Sequence, residues 1–208
     1  FKLLDNKSVN LIDINFKFKK TFDKISDASN KYIDECFKVA LLLLKTNKFH
    51  GLINGPISKR NFLKQKFLGI TEYLAKRTNV KKFSMLIYNK NLSVCPITTH
   101  LPLKDVSKKI TKIEIINKAE LIVNFYKKRF KKIPKIAITG LNPHCESNYK
   151  DSEEIRIIKP AIISLAKKKI RVYGPFAADT IFMKEQSKKY DVIIGMYHDQ
   201  VLTPLKSL

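Results

Sequence analysis

At 208 residues and 44% hydrophobic content, the chain can build one substantial core or two small lobes, and no apolar run approaches the roughly 20 residues of a bilayer span. Three cysteines, odd in number and irregularly spaced, argue against a disulfide framework and fit a reducing cytoplasm, and no signal peptide is visible. The formal charge of +23 leaves open a nucleic-acid footprint over Lys127–Lys135 and Lys167–Arg171, or a lysine-rich composition spread over helix ends whose field suits a small anionic substrate.

Ile33, Phe37, Ala40, Leu41 and Leu44 recur at helical spacing and predict a helix over Ala28–Asn47. Gly51 to Ile53 reads as a short buried strand stopped by Asn54-Gly55-Pro56. Thr71–Arg77 reads as a short helix with Thr71 as its N-cap. Phe83–Tyr88 and Leu92–Ile97, flanking Asn89-Lys90-Asn91, predict a β-hairpin. A long helix follows over Thr111–Phe130, with Ile113, Ile116, Ala119, Val123, Tyr126 and Phe130 as its apolar stripe, then a strand at Lys135–Thr139.

Asp151-Ser152-Glu153-Glu154 resembles a capping box, and Pro160 interrupts the helix it opens, so a kink or a two-part helix is expected. Arg171–Tyr173 reads as a brief strand closed by Gly174-Pro175, Asp179–Lys188 as helix, and Asp191–Tyr197 as a buried strand. Strands alternating with helices predict an α/β layered sheet. Phe1 is not an initiator methionine, and Ser207-Leu208 carries no helix-ending signal, so the chain reads as cut at both ends.

Three of the four histidines sit just past strands: His100 in Thr98–Leu103, His144 in Gly140–His144 and His198 in Met196–Gln200. Open α/β sheets bind ligands outside the carboxyl ends of their strands, and imidazole is the commonest protein ligand for zinc and similar metals. Each histidine alone suits a hydrogen-bonded loop; the repetition at three strand ends favours a metal. Asp199 stands beside His198, placed to orient the ring or share the ion. Cys145 is a soft donor but, as the immediate neighbour of His144, is expected to point elsewhere; Cys36 and Cys95 read as small core residues, and His50 precedes its strand and reads as structural.

TTHLPL at Thr98–Leu103, GLNPH at Gly140–His144, GPFAADTIF at Gly174–Phe182 and YHDQVLTPLK at Tyr197–Lys206 together resemble the 4-hydroxythreonine-4-phosphate dehydrogenase family of pyridoxal phosphate biosynthesis. NGPISK at Asn54–Lys59 and GITEYLA at Gly69–Ala75 fit its earlier motifs in the same order. The resemblance implies a two-lobed α/β/α layered sheet like that of isocitrate and isopropylmalate dehydrogenases, with residues 1–208 as an incomplete catalytic unit containing parts of two lobes. It implies a homodimer with a shared active site, and a divalent metal (zinc, magnesium or cobalt) on His100, His144 and His198. The implied reaction is NAD- or NADP-linked oxidation of 4-phosphohydroxy-L-threonine, with decarboxylation to 3-amino-2-oxopropyl phosphate. Lys206 and Thr71 match substrate contacts, Asp179 and Asp199 are second-shell or proton-transfer candidates, and Lys59 receives no role.

The chain departs from the family at Ile70, where a histidine is usual, so one substrate hydrogen bond is missing. Cys145 to Tyr149 replaces a glycine-rich stretch. No dinucleotide glycine fingerprint is present, and the cofactor site is expected to lie outside these residues, which predicts weak or no activity for them alone. The competing readings are a dehydrogenase for another phosphorylated four-carbon hydroxy acid, such as threonate or erythronate 4-phosphate; a basic nucleic-acid-binding module centred on Lys127, Lys128 and Lys131; and a nonfunctional remnant.

Overall fold

The computed structural model describes all residues except 1–6, 19, 22–23, 65, 146–148 and 208. It divides into two compact units, Phe1–Thr78 and Asn79–Leu208. No helix among the described residues is long and apolar enough to cross a membrane.

The first unit holds α1 (Asn30–Lys45), α2 (Lys59–Phe62) and α3 (Ile70–Arg77). Its core is small: Phe37, Leu63 and Tyr73 are buried, and Tyr73 meets Phe37 and Phe62 edge-on at 5.2 and 5.1 Å. The Tyr73 hydroxyl donates to Asp34 Oδ1 at 2.6 Å. Burial, and then the Asp34 carboxylate, push the Tyr73 phenol up to about 12. Two expectations fail in this unit. Gly51 to Ile53 forms no strand and Ile53 is 99% exposed, because no neighbouring strand among the described residues of the unit takes up its backbone hydrogen bonds. Thr71 is not a cap: Gly69 occupies the N-cap position in extended backbone, and Thr71 falls inside the first turn of α3.

The second unit follows the chain as β1 (Ser93–Thr98), α4 (Val106–Lys109), α5 (Lys112–Phe130), β2 (Ile136–Thr139), α6 (Lys159–Lys167), β3 (Val172–Phe176), α7 (Lys184–Ser187), β4 (Val192–Tyr197) and α8 (His198–Ser207). The four strands are all parallel, in the order β1-β4-β2-β3. Strand alternation sorts the core into two faces. Cys95, Ile97, Ile136, Ile138, Ile194 and Met196 pack with buried residues of α5 and α6. Val94, Ala137 and Ile193 pack on the other face with Val201 and Leu202 of α8. Strands covered on both faces explain the near-continuous apolar runs of the sequence.

Thr111 caps α5, its Oγ1 accepting from Glu114 N–H at 3.1 Å. The buried face of α5 is Ile115, Ala119, Ile122, Val123 and Tyr126, whereas Ile113 is 68% exposed, so the expected stripe is rotated toward the sheet. Lys127 and Lys128 lie in the last turn of α5 and Lys131 is its left-handed C-cap, where positive charge complements the helix dipole. A π-helical segment, Glu154–Ile158, runs directly into α6, with Pro160 just inside the α-helical part, which gives the two-part helix. The expected hairpin is reduced to one antiparallel bridge between Ile87 and Val94. Helix over Asp179–Lys188 is also reduced, to α7, because the chain first turns back so that Thr180 and Ile181 N–H bond Ala177 carbonyl.

β3 continues through Gly174, whose φ of +130° is left-handed and whose added Cβ would lie 2.4 Å from the Ile138 carbonyl oxygen on β2. Gly174→Ala is therefore expected to destabilise the unit by about 3 kcal/mol, read from denaturant unfolding midpoints at unchanged slope.

Candidate functional site

Because the strands run in parallel, the loops that leave them gather at one edge of the sheet. His100 follows β1 and His198 opens α8 at the end of β4; these strands are neighbours, with Thr98 paired to Tyr197. The Thr98 hydroxyl donates to the Met196 carbonyl at 2.8 Å, tying the two strand ends together. The two imidazole rings lie 5.9 Å apart, centroid to centroid. They line a cleft of about 320 Å³ with Thr99, Leu101, Tyr197 and Asp199. Asp199 Oδ1 is 2.7 Å from His198 Nδ1, which fixes the ring and leaves Nε2 for a ligand.

His144 stands on the other half of the edge, in the loop after β2, with Nδ1 3.4 Å from Asp179 Oδ2 beyond β3. Both groups are mostly exposed, so this pair contributes little stability by itself. His144 and Cys145 both adopt left-handed backbone, at φ 57° and 56°. Burial pushes the Cys145 thiol up, away from the thiolate a soft ligand needs. Residues 146–148, in the stretch that replaces the family's glycine-rich loop, lie outside the described residues.

The donor set suits a divalent ion. Two imidazoles on one tetrahedral ion have centroids about 5 Å apart, close to the His100–His198 spacing. Among the described residues, no three His, Cys, Asp or Glu side chains of one chain converge. One chain therefore presents two imidazoles together and the third apart from them. Lys206 is exposed in the last turn of α8, and Thr71 is half-buried in α3 of the first unit. A larger cavity of about 660 Å³ in the first unit has no histidine, cysteine or carboxylate among its described lining residues.

Two side chains that sequence reasoning passed over hold this edge. Gln200 accepts from Met196 N–H at 2.6 Å and the Thr139 hydroxyl at 2.9 Å, and donates to the Gly140 carbonyl at 2.8 Å. Glu154 is 1% exposed and accepts from Leu141 N–H, Asn142 N–H and the Asn142 side-chain amide, each at 2.8 Å. Burial pushes the Glu154 carboxyl up, but these hydrogen bonds outweigh it and hold the group below its ordinary value of 4.5. A carboxylate with a depressed folded pKa contributes stability that is fully present above the ordinary value and lost as pH falls through the folded one. Below pH 4.5 the wild type is expected to lose stability more steeply than Glu154→Gln, as measured by urea midpoints across the acid range.

Comparison with known proteins gives the chain's family. The family model described as "Pyridoxal phosphate biosynthetic protein PdxA" matches residues 2–208. A 4-hydroxythreonine-4-phosphate dehydrogenase of Sulfurihydrogenibium sp. (strain YO3AOP1) is 40% identical over 204 residues, covering 96% of this chain and 62% of the relative. A D-threonate 4-phosphate dehydrogenase of Pectobacterium atrosepticum is 33% identical over 176 residues, covering 83% of this chain and 54% of the relative. A 1.25 Å crystal structure of a 4-hydroxythreonine-4-phosphate dehydrogenase from Klebsiella pneumoniae superposes with a TM-score of 0.79 at 30% identity, over 88% of this chain and 57% of that one. The chain thus spans roughly three-fifths of the length of such relatives. With a family match along nearly its whole length and the same fold in a solved structure, the chain belongs to the pyridoxal phosphate biosynthetic protein PdxA family.

Proposed function

We propose that this protein is a metal-dependent, NAD(P)-linked dehydrogenase of pyridoxal phosphate biosynthesis. It oxidises the secondary alcohol of 4-phosphohydroxy-L-threonine, and the β-keto acid loses carbon dioxide to give 3-amino-2-oxopropyl phosphate. The observation that carries this reading is the cleft at the strand ends, where His100 and a carboxylate-oriented His198 face each other in a chain whose relatives bear the name of that activity.

In this reading His100, His144 and His198 are the metal ligands, completed by a second copy of the chain in a cytoplasmic homodimer. A divalent cation (zinc, magnesium or cobalt) supplies Lewis-acid polarisation of the substrate oxygen, before and after oxidation. Neutral imidazoles leave the cation's charge undiminished, which suits that task better than three carboxylates. Asp199 bonds His198 Nδ1 and is exposed; in this reading it holds the ring in one tautomer and takes the alcohol proton. Asp179 has the corresponding place beside His144. The Lys206 ammonium and the Thr71 hydroxyl bind the anionic substrate. The described residues contain no glycine-rich dinucleotide loop, so none is assigned to the nicotinamide cofactor.

A second reading keeps the site and changes the substrate to another phosphorylated four-carbon hydroxy acid. Ile70 supports it, since its side chain forms no hydrogen bond where the family usually has a histidine, and so does the relative named for D-threonate 4-phosphate. Turnover of the complete protein with NAD or NADP separates the two. The first reading expects kcat/KM for 4-phosphohydroxy-L-threonine to exceed that for D-threonate 4-phosphate by about tenfold or more, equivalent to one or two lost polar contacts. The reverse order selects the second. Absence of cofactor reduction with either substrate, whatever divalent ion is added, overturns both.

A further inference from the structure

Glu154 and Gln200 are buried polar side chains that both close on the same short stretch of backbone. Gln200 takes the Gly140 carbonyl, and Glu154 takes the next two N–H groups, of Leu141 and Asn142. Gln200 also holds the Met196 N–H, two residues before His198. One side chain therefore spans the ends of β2 and β4, and a second reaches the same loop from the π-helical segment. Just beyond the clamped residues, His144 and Cys145 stand in left-handed backbone at φ 57° and 56°. Such backbone is strained for a residue with a Cβ and persists where the surroundings over-determine it. There is little room to adjust, because a Cβ on Gly140 would lie 2.5 Å from Cys145 Sγ and 3.0 Å from Glu154 Oε1.

We propose that Glu154 and Gln200 are positioning residues, which lock the Gly140–Asn142 backbone and so fix where the loop presents His144 as a ligand. This rests on the reading of those imidazoles as metal ligands. A purely structural role would lower thermal stability without altering ion binding; a positioning role alters both the loop and the ion affinity.

The test uses the complete protein with cobalt(II) as the probe, and the variants Glu154→Gln, Glu154→Leu and Gln200→Met. Calorimetry gives cobalt affinity, hydrogen exchange reports the Leu141 and Asn142 amides, and steady-state kinetics separate kcat from KM. In Glu154→Leu and Gln200→Met, cobalt affinity is expected to fall about tenfold or more, the size of effect that residues behind metal ligands produce. Both amides should exchange faster, and kcat should fall while KM stays within about threefold, since substrate contacts are untouched. Glu154→Gln retains an acceptor oxygen and should recover part of the affinity that Glu154→Leu loses. Should Gln200→Met fail to fold, Asn142→Ala removes a single donor to Glu154, and it too should weaken cobalt binding.

Variants that melt earlier yet bind cobalt like the wild type overturn the proposal. If the wild type itself binds no cobalt, the metal reading fails while exchange still decides the clamp: faster exchange of the two amides in Glu154→Leu supports it, and unchanged exchange in that variant overturns it.

Discussion

His198→Ala is expected to lower kcat/KM by about a thousandfold, equivalent to about 4 kcal/mol of transition-state stabilisation. His198 opens α8 beside the cleft, and its ring is held by Asp199 at 2.7 Å, so its removal takes away a pre-oriented donor. Its ring is not part of either apolar cluster of the sheet, so the unfolding free energy should change by no more than about 1 kcal/mol. Asp199→Asn should cost less, about 10- to 100-fold, because the ring remains while its orientation and a nearby proton acceptor are lost. Divalent-ion binding and kcat/KM measured on the same preparations check both. Equal losses in the two variants would mean that proton transfer by Asp199 matters as much as the ring it orients.

A second large effect is expected one turn of chain earlier, at Gly195. A Cβ there would lie 2.3 Å from Val201 Cγ1 and 3.0 Å from Gln200 Oε1. Neither neighbour can retreat easily: Val201 is fully buried against β4, and Gln200 is held by three hydrogen bonds. Gly195→Ala must therefore push α8 off the sheet, at about 3 kcal/mol. Because α8 begins with His198, the loss should extend to ion affinity, which Gly174→Ala on β3 should alter less. Denaturant midpoints together with ion titration read the two effects separately.

The sheet was legible because its strands carry apolar side chains on both faces, and the runs around Ile136 to Thr139 and Val192 to Tyr197 suit nothing else. The strand-end histidines were legible for the same reason, since parallel topology dictates where loops gather. What escaped notice was set by tertiary partners. Gly51 to Ile53 has strand-like composition, but without a neighbour it stays unpaired. Ile113 fits a helical stripe, yet the packing of α5 turns it outward and brings in Ile115 and Ile122. Glu154 read as a helix-start residue because its partners lie 12 and 13 positions away, in another loop. The proximity of His100 and His198, 98 positions apart in sequence, depends on β1 and β4 being neighbours, which periodicity alone does not reveal.

The most direct measurement is metal removal and return on the complete protein. Chelation followed by dialysis should abolish cofactor reduction with the phosphorylated substrate, and stoichiometric zinc, magnesium or cobalt should restore it in the wild type but not in His198→Ala. Hydride transfer that continues undiminished in metal-free protein would contradict the account.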